Sequence, residues 1–380
     1  MKKLLIVLAI VVIGFLVLDK FKDEEIDSVS ENEIIIGAVN PLTGEATPYG
    51  DEVVNVVKMV LEEVNASGGV NGKTVKVLWE DGKCTGKDGA QAAQKLINVD
   101  KVKIMLVGCS MEVLGIAPIT EKREVIVFST LATNPDIKNS GDFVFRSTPS
   151  DSSQGRVLAE YANNHYKKVG LITEQTDYAL GVANTFVEHF LGDIVREDYL
   201  SSESDFKTRI TKLKGANVDV LFLGAQTPTK AEIIIKQLQE QNWNKPIIAN
   251  DALIGIPELP RKYSEFFNKV TLVGANFVAP PGPELESFIE KYKAEYNKEP
   301  LYLSYAASTF DGINMILKIF NEVEDLDDTH AVRDAFYNIK DFKGLLGNIS
   351  MDEYGEVNIT HSLFKFDGED FVPLKEGIIL

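Results

Sequence analysis

Short β-branched segments alternate with helical patterns along most of this chain. Residues 34–39 predict a buried strand, residues 52–64 carry apolar side chains at helical spacing, and residues 74–79 predict the next strand. A strand, a crossover helix and a parallel strand form the unit of sheets that are covered by helices on both faces. The alternation therefore predicts an α/β protein built on doubly wound parallel sheets.

The alternating series has two halves, separated by a polar stretch at residues 147–153. A single hydrophobic core stops growing well below 380 residues, so we expect two lobes. The further predicted helices are 88–98, 113–121, 154–165, 181–190, 206–213, 230–240, 284–296, 305–322 and 331–338. The further predicted strands are 104–107, 125–128, 169–173, 194–199, 218–223 and 246–249, before a strand-rich end. Open sheets bind ligands beyond the carboxyl ends of their strands, which predicts a site in a cleft between the lobes.

The N-terminus carries a targeting pattern. Two lysines precede an unbroken apolar run at residues 4–18, and an acidic, polar stretch follows. This pattern is typical of a signal peptide or signal anchor, and the lysines before the run predict that the chain after it lies outside the cytoplasm. Since no small-residue cleavage site follows the run, we expect residues 1–32 to be an uncleaved membrane anchor and tether. A cleaved signal is the alternative.

Charge and missing motifs exclude several classes of protein. The 39 basic and 57 acidic residues give 39 − 57 = −18, which argues against nucleic-acid binding. No phosphate-binding loop occurs, and the four histidines lack zinc-ligand spacing. The nearest approach to a nucleophile elbow, residues 108–112, ends in Glu where a glycine is needed. We therefore expect no enzyme activity, no metal and no cofactor.

Polar residues at strand ends predict a site for a zwitterion. Ser110 and Thr133 follow two neighbouring predicted strands, where hydroxyls and free backbone N–H groups can hold a carboxylate. Asp251 follows a strand of the other half and can receive an ammonium group. Each hydroxyl alone is more typical of a plain helix cap. The pair at adjacent strand ends favours binding.

Several motifs, in order and at matching spacing, make the exported body resemble the leucine/isoleucine/valine-binding proteins, the amino-acid-binding subunits of ABC importers. The motifs are IIIGAVNPLTGEATPYGDE, VNASGGVNGKTVKV, GCS, ATNP, FRSTPSDSSQG, SDF, LSYAASTFDGI and FKGLLGNISMDEYGEV. The resemblance implies the two-lobed Venus-flytrap fold of type I periplasmic binding proteins. It implies a first lobe of residues 33–149 plus 281–348 and a second lobe of 150–280 plus 349–380.

The resemblance also implies roles for individual residues. Cys84 and Cys109 match a disulfide near the site; two cysteines in an exported chain agree with this, with two buried thiols as the alternative. The matching ligand residues are Ser110 and Thr133 with the Leu131 and Ala132 backbone for the carboxylate, Asp251 for the ammonium, and Tyr49 and Tyr178 for the side chain. Gln226 departs from the family, where leucine binders usually have Tyr. That departure leaves the side-chain preference open.

The resemblance implies an extracytoplasmic solute-binding protein that captures a branched-chain or related amino acid and delivers it to an ABC permease. We expect a monomer that is tethered to the membrane through its N-terminal helix. A ligand-binding sensor or receptor subunit of the same fold is one alternative. A binder of small amides or urea is another.

Overall fold

The computed structural model describes residues 32–256 and 258–374 and confirms the predicted α/β architecture. Within these ranges the strands form a five-stranded sheet, a seven-stranded sheet and a separate hairpin. The first sheet contains β1 Glu33–Asn40, β2 Thr74–Asp81, β3 Ile104–Val107, β4 Ile126–Ser129 and β5 Val144–Arg146. The second contains β6 Lys168–Glu174, β7 Asp193–Tyr199, β8 Val220–Gly224, β9 Ile247–Ala249, β10 Leu272–Asn276, β13 Ser362–Phe366 and β14 Phe371–Pro373. The hairpin pairs β11 Phe342–Gly344 with β12 Gly347–Ile349.

Helices connect most of these strands. They are α1 Thr47–Ala66, α2 Gly86–Asn98, α3 Ser110–Arg123, α4 Asp151–His165, α5 Asp177–His189, α6 Lys207–Gly215, α7 Pro228–Glu240, α8 Asp251–Ile254, α9 Glu258–Lys262, α10 Ser264–Phe267, α11 Pro283–Tyr296, α12 Leu303–Glu322 and α13 Thr329–Tyr337. The helices predicted from the sequence all occur, most of them a few residues longer at the start. The short helices α8 to α10 were not predicted, because four or five residues are too few to show a helical period.

The first sheet is parallel throughout, in the order β2-β1-β3-β4-β5. Its register pairs Val39 with Val107 and Val107 with Ser129, so the carboxyl ends of β1, β3 and β4 lie side by side. The loops that follow these strands therefore open at the same edge. This edge carries Ser110 and Thr133.

The second sheet has the order β14-β13-β10-β9-β8-β6-β7, and only β13 runs against the other strands, pairing antiparallel with both β10 and β14. The parallel pairs Leu223–Ala249 and Ile172–Leu223 bring the ends of β6, β8 and β9 together. Residues that follow these strands, including Gln226 and Asp251, consequently share one edge. Parallel strands need long crossovers, and the helices supply them.

The central strands of each sheet are buried on both faces, as their continuous apolar sequences predict. Leu106 and Phe128 face the core formed with α1 and α12, whereas Met105 and Val127 face the core formed with α2 and α3. The second sheet likewise separates two buried clusters. We call the two units the first lobe and the second lobe.

The chain passes between the lobes more than once. It leaves the first lobe after Arg146, returns after Asn276, and crosses again between Val357 and Leu363. Met351 and Val357 pack in the core of the first lobe, which favours a last passage later than residue 348. The lobe boundaries given above otherwise stay a prediction.

Two features of the N-terminal half concern export. Among residues 32–256 and 258–374, no helix is long and apolar enough to cross a membrane, and the predicted anchor at residues 4–18 lies outside these ranges. The predicted disulfide is confirmed: Cys84 and Cys109 are bonded, with 5.3 Å between their Cα atoms. It joins the loop after β2 to the start of α3.

Replacing both Cys84 and Cys109 with Ser should lower the free energy of unfolding by about 3.5 kcal/mol, because the disulfide restricts the unfolded chain across 25 residues. Urea unfolding of the oxidised protein and the double variant measures this difference. Wild-type protein unfolded in the presence of a dithiol reductant is the control and should match the variant. Equal stability of the oxidised protein and the variant would show that the bond does not form or does not stabilise.

Candidate functional site

A small cavity lies between the lobes, beyond the carboxyl ends of both sheets. The residues that line it are Tyr49, Cys109, Ser110, Leu131, Tyr178, Gln226 and Tyr305. Five of these seven belong to the first lobe, and Tyr178 and Gln226 belong to the second. A ligand held here would touch both lobes at once.

Ser110 is fixed at the start of α3, directly after β3. It is 4% exposed, and its Oγ accepts hydrogen bonds from the backbone N–H groups of Thr133 and Asn134, each at 3.2 Å. These two bonds use the lone pairs of the oxygen and leave the hydroxyl proton free to donate. The position at the N-terminus of a 14-residue helix also favours a negative partner.

Glu112 supports this corner from behind. Its carboxylate is fully buried and accepts the backbone N–H of Cys109 at 2.8 Å and that of Cys84 at 2.9 Å. Burial raises the pKa of Glu112 to about 8, against the lowering effect of those hydrogen bonds. The carboxyl group and the disulfide thus tie together the same two loops, and Ser110 follows directly on one of them.

Thr133 does not present its hydroxyl to the cavity as the sequence led us to expect. Its Oγ1 donates to Oδ2 of Asp151 at 2.8 Å, and its carbonyl accepts the backbone N–H of Asp151 at 2.7 Å. The first lobe is thereby bonded to the first residue of α4, which packs in the second lobe. Ala132 also lies outside the cavity wall, with its N–H donated to Ser129 Oγ at 3.0 Å.

Arg146 holds the same loop from the other side. Its fully buried guanidinium donates to the carbonyls of Asn134 at 2.9 Å and Ala132 at 3.4 Å, and it pairs with Glu356. Glu356 belongs to the segment that leads into the last passage between the lobes. Arg146, at the first passage between the lobes, therefore links the loop that carries Leu131 to Glu356, near the last passage.

Asp251 is the point where the two lobes meet. It is 3% exposed at the start of α8, and its two carboxylate oxygens accept the hydroxyls of Tyr178 and, at 2.6 Å, of Tyr305. Tyr178 belongs to the second lobe, whereas Tyr305 comes from α12 of the first. The Tyr305 bond therefore spans the cleft.

The electrostatics of this region are dominated by buried carboxylates. Burial and the nearby charge of Asp251 raise the pKa of Asp151 well above its usual range. Oδ1 of Asp151 has no hydrogen-bond partner among the described residues. Burial and Asp251 also raise the pKa values of Tyr178 and Tyr305, so both phenols stay protonated donors. A buried acceptor without a partner beside a second carboxylate favours a cation at this place.

Aromatic side chains form the wall on the first-lobe side. Tyr49 stacks on Tyr302 with 3.9 Å between ring centroids, and its ring edge meets Tyr305 at 5.9 Å. Phe277 supports Tyr305 from behind at 5.2 Å in an edge-to-face contact. Such contacts fix the positions of the rings. The wall is consequently rigid and largely apolar.

Five of the lining residues were predicted as ligand-binding residues from the sequence: Tyr49, Ser110, Leu131, Tyr178 and Gln226. Asp251 does not line the cavity itself, but it accepts hydrogen bonds from the lining residues Tyr178 and Tyr305. Asp151 and Tyr305 were missed. Asp151 follows Ser150 just before a predicted helix, where acidic residues commonly serve to stabilise the helix end. Tyr305 lies in the motif LSYAASTFDGI, and nothing in the local sequence indicates that its side chain faces the cleft.

Comparisons with known proteins agree with this architecture. The family model described as periplasmic binding protein matches residues 33–365. A Leu/Ile/Val-binding protein homolog 2 of Brucella abortus (strain 2308) is 26% identical over 351 residues, which cover 89% of this chain and 92% of the relative. An amino acid binding protein of Pseudomonas aeruginosa is 24% identical, with 86% and 88% covered.

Solved structures repeat the fold. The leucine binding protein LivK of Thermotoga maritima MSB8 is 25% identical and has a TM-score of 0.79, with 89% of this chain and 97% of the other covered. LivJ of Streptococcus pneumoniae, in complex with isoleucine, is 24% identical with a TM-score of 0.78 and coverage of 90% and 100%. A solute binding protein of R. palustris in complex with 4-hydroxybenzoate is 16% identical, with a TM-score of 0.78 and coverage of 90% and 96%.

The family match spans most of the chain, and the relatives are covered over nearly their whole length. The sheet order, the lobes joined by several passages and the cleft between them fit the same architecture. The chain belongs to the periplasmic binding protein family, as its sequence resemblance predicted.

Proposed function

We propose that this protein is the extracytoplasmic solute-binding subunit of an ABC importer and that its ligand is an α-amino acid. The proposal rests mainly on Ser110, which lines the cavity, and on two buried carboxyl groups close to its wall. Asp251 accepts the hydroxyls of the lining residues Tyr178 and Tyr305, and Asp151 accepts the hydroxyl of Thr133, whose N–H is bonded to Ser110. A hydroxyl donor with two carboxyl groups nearby is complementary to a zwitterion. The names of the relatives support the same ligand class.

The ligand carboxylate would bind at Ser110. The Ser110 hydroxyl proton is free, because its oxygen already accepts the N–H groups of Thr133 and Asn134. The N-terminus of α3 adds a favourable dipole for an anion. Cys109 and Glu112 hold this corner in place from behind.

The ligand ammonium would bind beside Asp251 and the free Oδ1 of Asp151. Three N–H donors can then replace or join the phenol donors that Asp251 now receives from Tyr178 and Tyr305. Each charge-assisted hydrogen bond contributes about 1.5 to 3 kcal/mol. The ammonium would also relieve the repulsion between the two carboxylates.

Capture would close the lobes without any covalent step. Ser110 belongs to the first lobe and Asp251 to the second, so a bound zwitterion has higher affinity for the closed arrangement and shifts the equilibrium toward it. The passages after Arg146 and Asn276 and before Leu363 are the expected hinges. The closed form would then be recognised by permease subunits at the outer face of the membrane.

An aromatic carboxylic acid is a weaker candidate ligand. The R. palustris neighbour binds 4-hydroxybenzoate, and the tyrosine-rich wall of this cavity could face a ring. Such an acid would use Ser110 in the same way. It would however bring no cation to Asp151 and Asp251, which is why we favour the amino acid.

Asp251→Asn should weaken amino-acid binding by about tenfold or more, about 1.4 kcal/mol, because the ammonium loses a full charge partner. Titration calorimetry with a panel of amino acids measures the effect. Asp205→Asn, an exposed change in the same lobe, is the matched control and should leave affinity unchanged. An Asp251→Asn protein that folds normally and binds with wild-type affinity would remove Asp251 from this role.

Binding should release protons from Asp151 at pH values below the raised pKa of its carboxyl group. Burial and Asp251 raise the pKa of the Asp151 carboxyl in the empty cleft, and an arriving ammonium lowers it again. Affinity should therefore fall as the pH decreases through that raised pKa, because the proton must leave before the ammonium binds.

Calorimetry in two buffers of different ionisation enthalpy counts the protons that are released on binding. The Asp151→Asn variant should bind more weakly and release none. A pH-independent affinity, with no proton release in either buffer, would contradict the placement of the ammonium beside Asp151.

A further inference from the structure

We propose that the side chain of the captured amino acid carries a neutral hydrogen-bonding group of the carboxamide kind and that Gln226 selects it. This inference rests on the proposed amino-acid function and narrows its ligand class. It depends on which polar groups of the cavity wall remain available once the α-carboxylate and α-ammonium are bound.

The hydroxyl groups of the wall are already engaged. Tyr178 and Tyr305 both donate to Asp251. Tyr49 shares a hydrogen bond with Tyr302, on which its ring is stacked. Ser110 is needed for the α-carboxylate. The phenols therefore present mainly their ring faces and edges to the ligand side chain.

Gln226 is the polar group that is left. Its side chain contributes to the cavity wall, and its amide makes no hydrogen bond to any residue that the structure describes. The backbone is held firmly, since its N–H donates to Oε2 of Glu174 at 2.8 Å and the next residue, Thr227, caps α7. A residue with a fixed backbone thus offers two free N–H donors and one free carbonyl acceptor to the ligand.

An apolar ligand side chain would cover this amide without replacing its hydrogen bonds to water. Leaving a buried polar group unpaired is unfavourable, and sites built to hydrogen-bond a ligand reject the analogue that lacks the partner group. A carboxamide supplies both the acceptor and the donor that Gln226 needs. Leu131 and the aromatic rings would pack against the methylene groups of the same ligand.

Glu174 favours a neutral over an acidic side chain on the ligand. Its carboxylate is 2% exposed, and the bonds that the structure gives it come from the neutral donors Gln226 N–H and, at 3.4 Å, Tyr199 O–H. This negative charge directly behind Gln226 would repel a ligand carboxylate. Glutamine or asparagine is therefore favoured over glutamate or aspartate.

The test is titration calorimetry of the full-length protein with the twenty amino acids, in which glutamine, asparagine, leucine and glutamate are the decisive ligands. Glutamine or asparagine should bind about tenfold more tightly than leucine, and glutamate more weakly than either amide. Gln226→Leu should reverse the order of amide and leucine, whereas Gln239→Leu, an exposed change, should keep it. The wild-type ranking stands as a test even if the Gln226→Leu protein does not fold.

Two results would overturn the inference in different ways. Leucine binding more tightly than both amides to the wild-type protein, or an unchanged order in Gln226→Leu, would refute the role of Gln226 and leave the amino-acid function intact. Binding of none of the twenty amino acids would instead refute the proposed function itself.

Discussion

Two buried carboxyl groups, Asp151 and Asp251, without a matching cation are the constraint on which this cleft depends. The charge of Asp251 raises the pKa values of Asp151 and Tyr305, and the nearby guanidinium of Arg146 is already paired with Glu356. Unpaired buried carboxylates are unfavourable unless protonated or matched. The phenols of Tyr178 and Tyr305 stabilise Asp251 only as neutral donors. A ligand that brings an ammonium group completes the arrangement.

The fold brings these groups together through the register of its parallel sheets. In the first sheet, the paired ends of β3 and β4 place Ser110 next to the loop of Leu131 and Thr133. In the second sheet, the ends of β8 and β9 place Gln226 and Asp251 on the facing edge. Arg146 and Asp151, on either side of the first passage, fasten the first loop to the hinge region. Movement of the lobes and the position of the ligand-binding loop are thereby coupled through Arg146 and Asp151.

The sequence predicted the strands, helices and strand-end residues, which depend on local pattern. It did not predict contacts between residues that are distant in the chain. Strand and helix periods identified the parallel sheets, and strand ends pointed to Ser110 and Asp251. The Tyr305–Asp251 bond joins residues 54 positions apart in different lobes, and no local pattern encodes it. The hydroxyl of Thr133 faces Asp151 because the first passage folds back on that loop, which the order of residues alone does not specify.

In our proposal the cleft recognises an ammonium group as well as a carboxylate. Calorimetry that compares each bound amino acid with its des-amino analogue, the same carboxylic acid without the ammonium, tests this most directly. We expect the amino acid to bind and its des-amino analogue to bind at least about a hundredfold more weakly, since the contacts with two charged partners are lost. Equal binding of the two, or tighter binding of the simple acid, would contradict it.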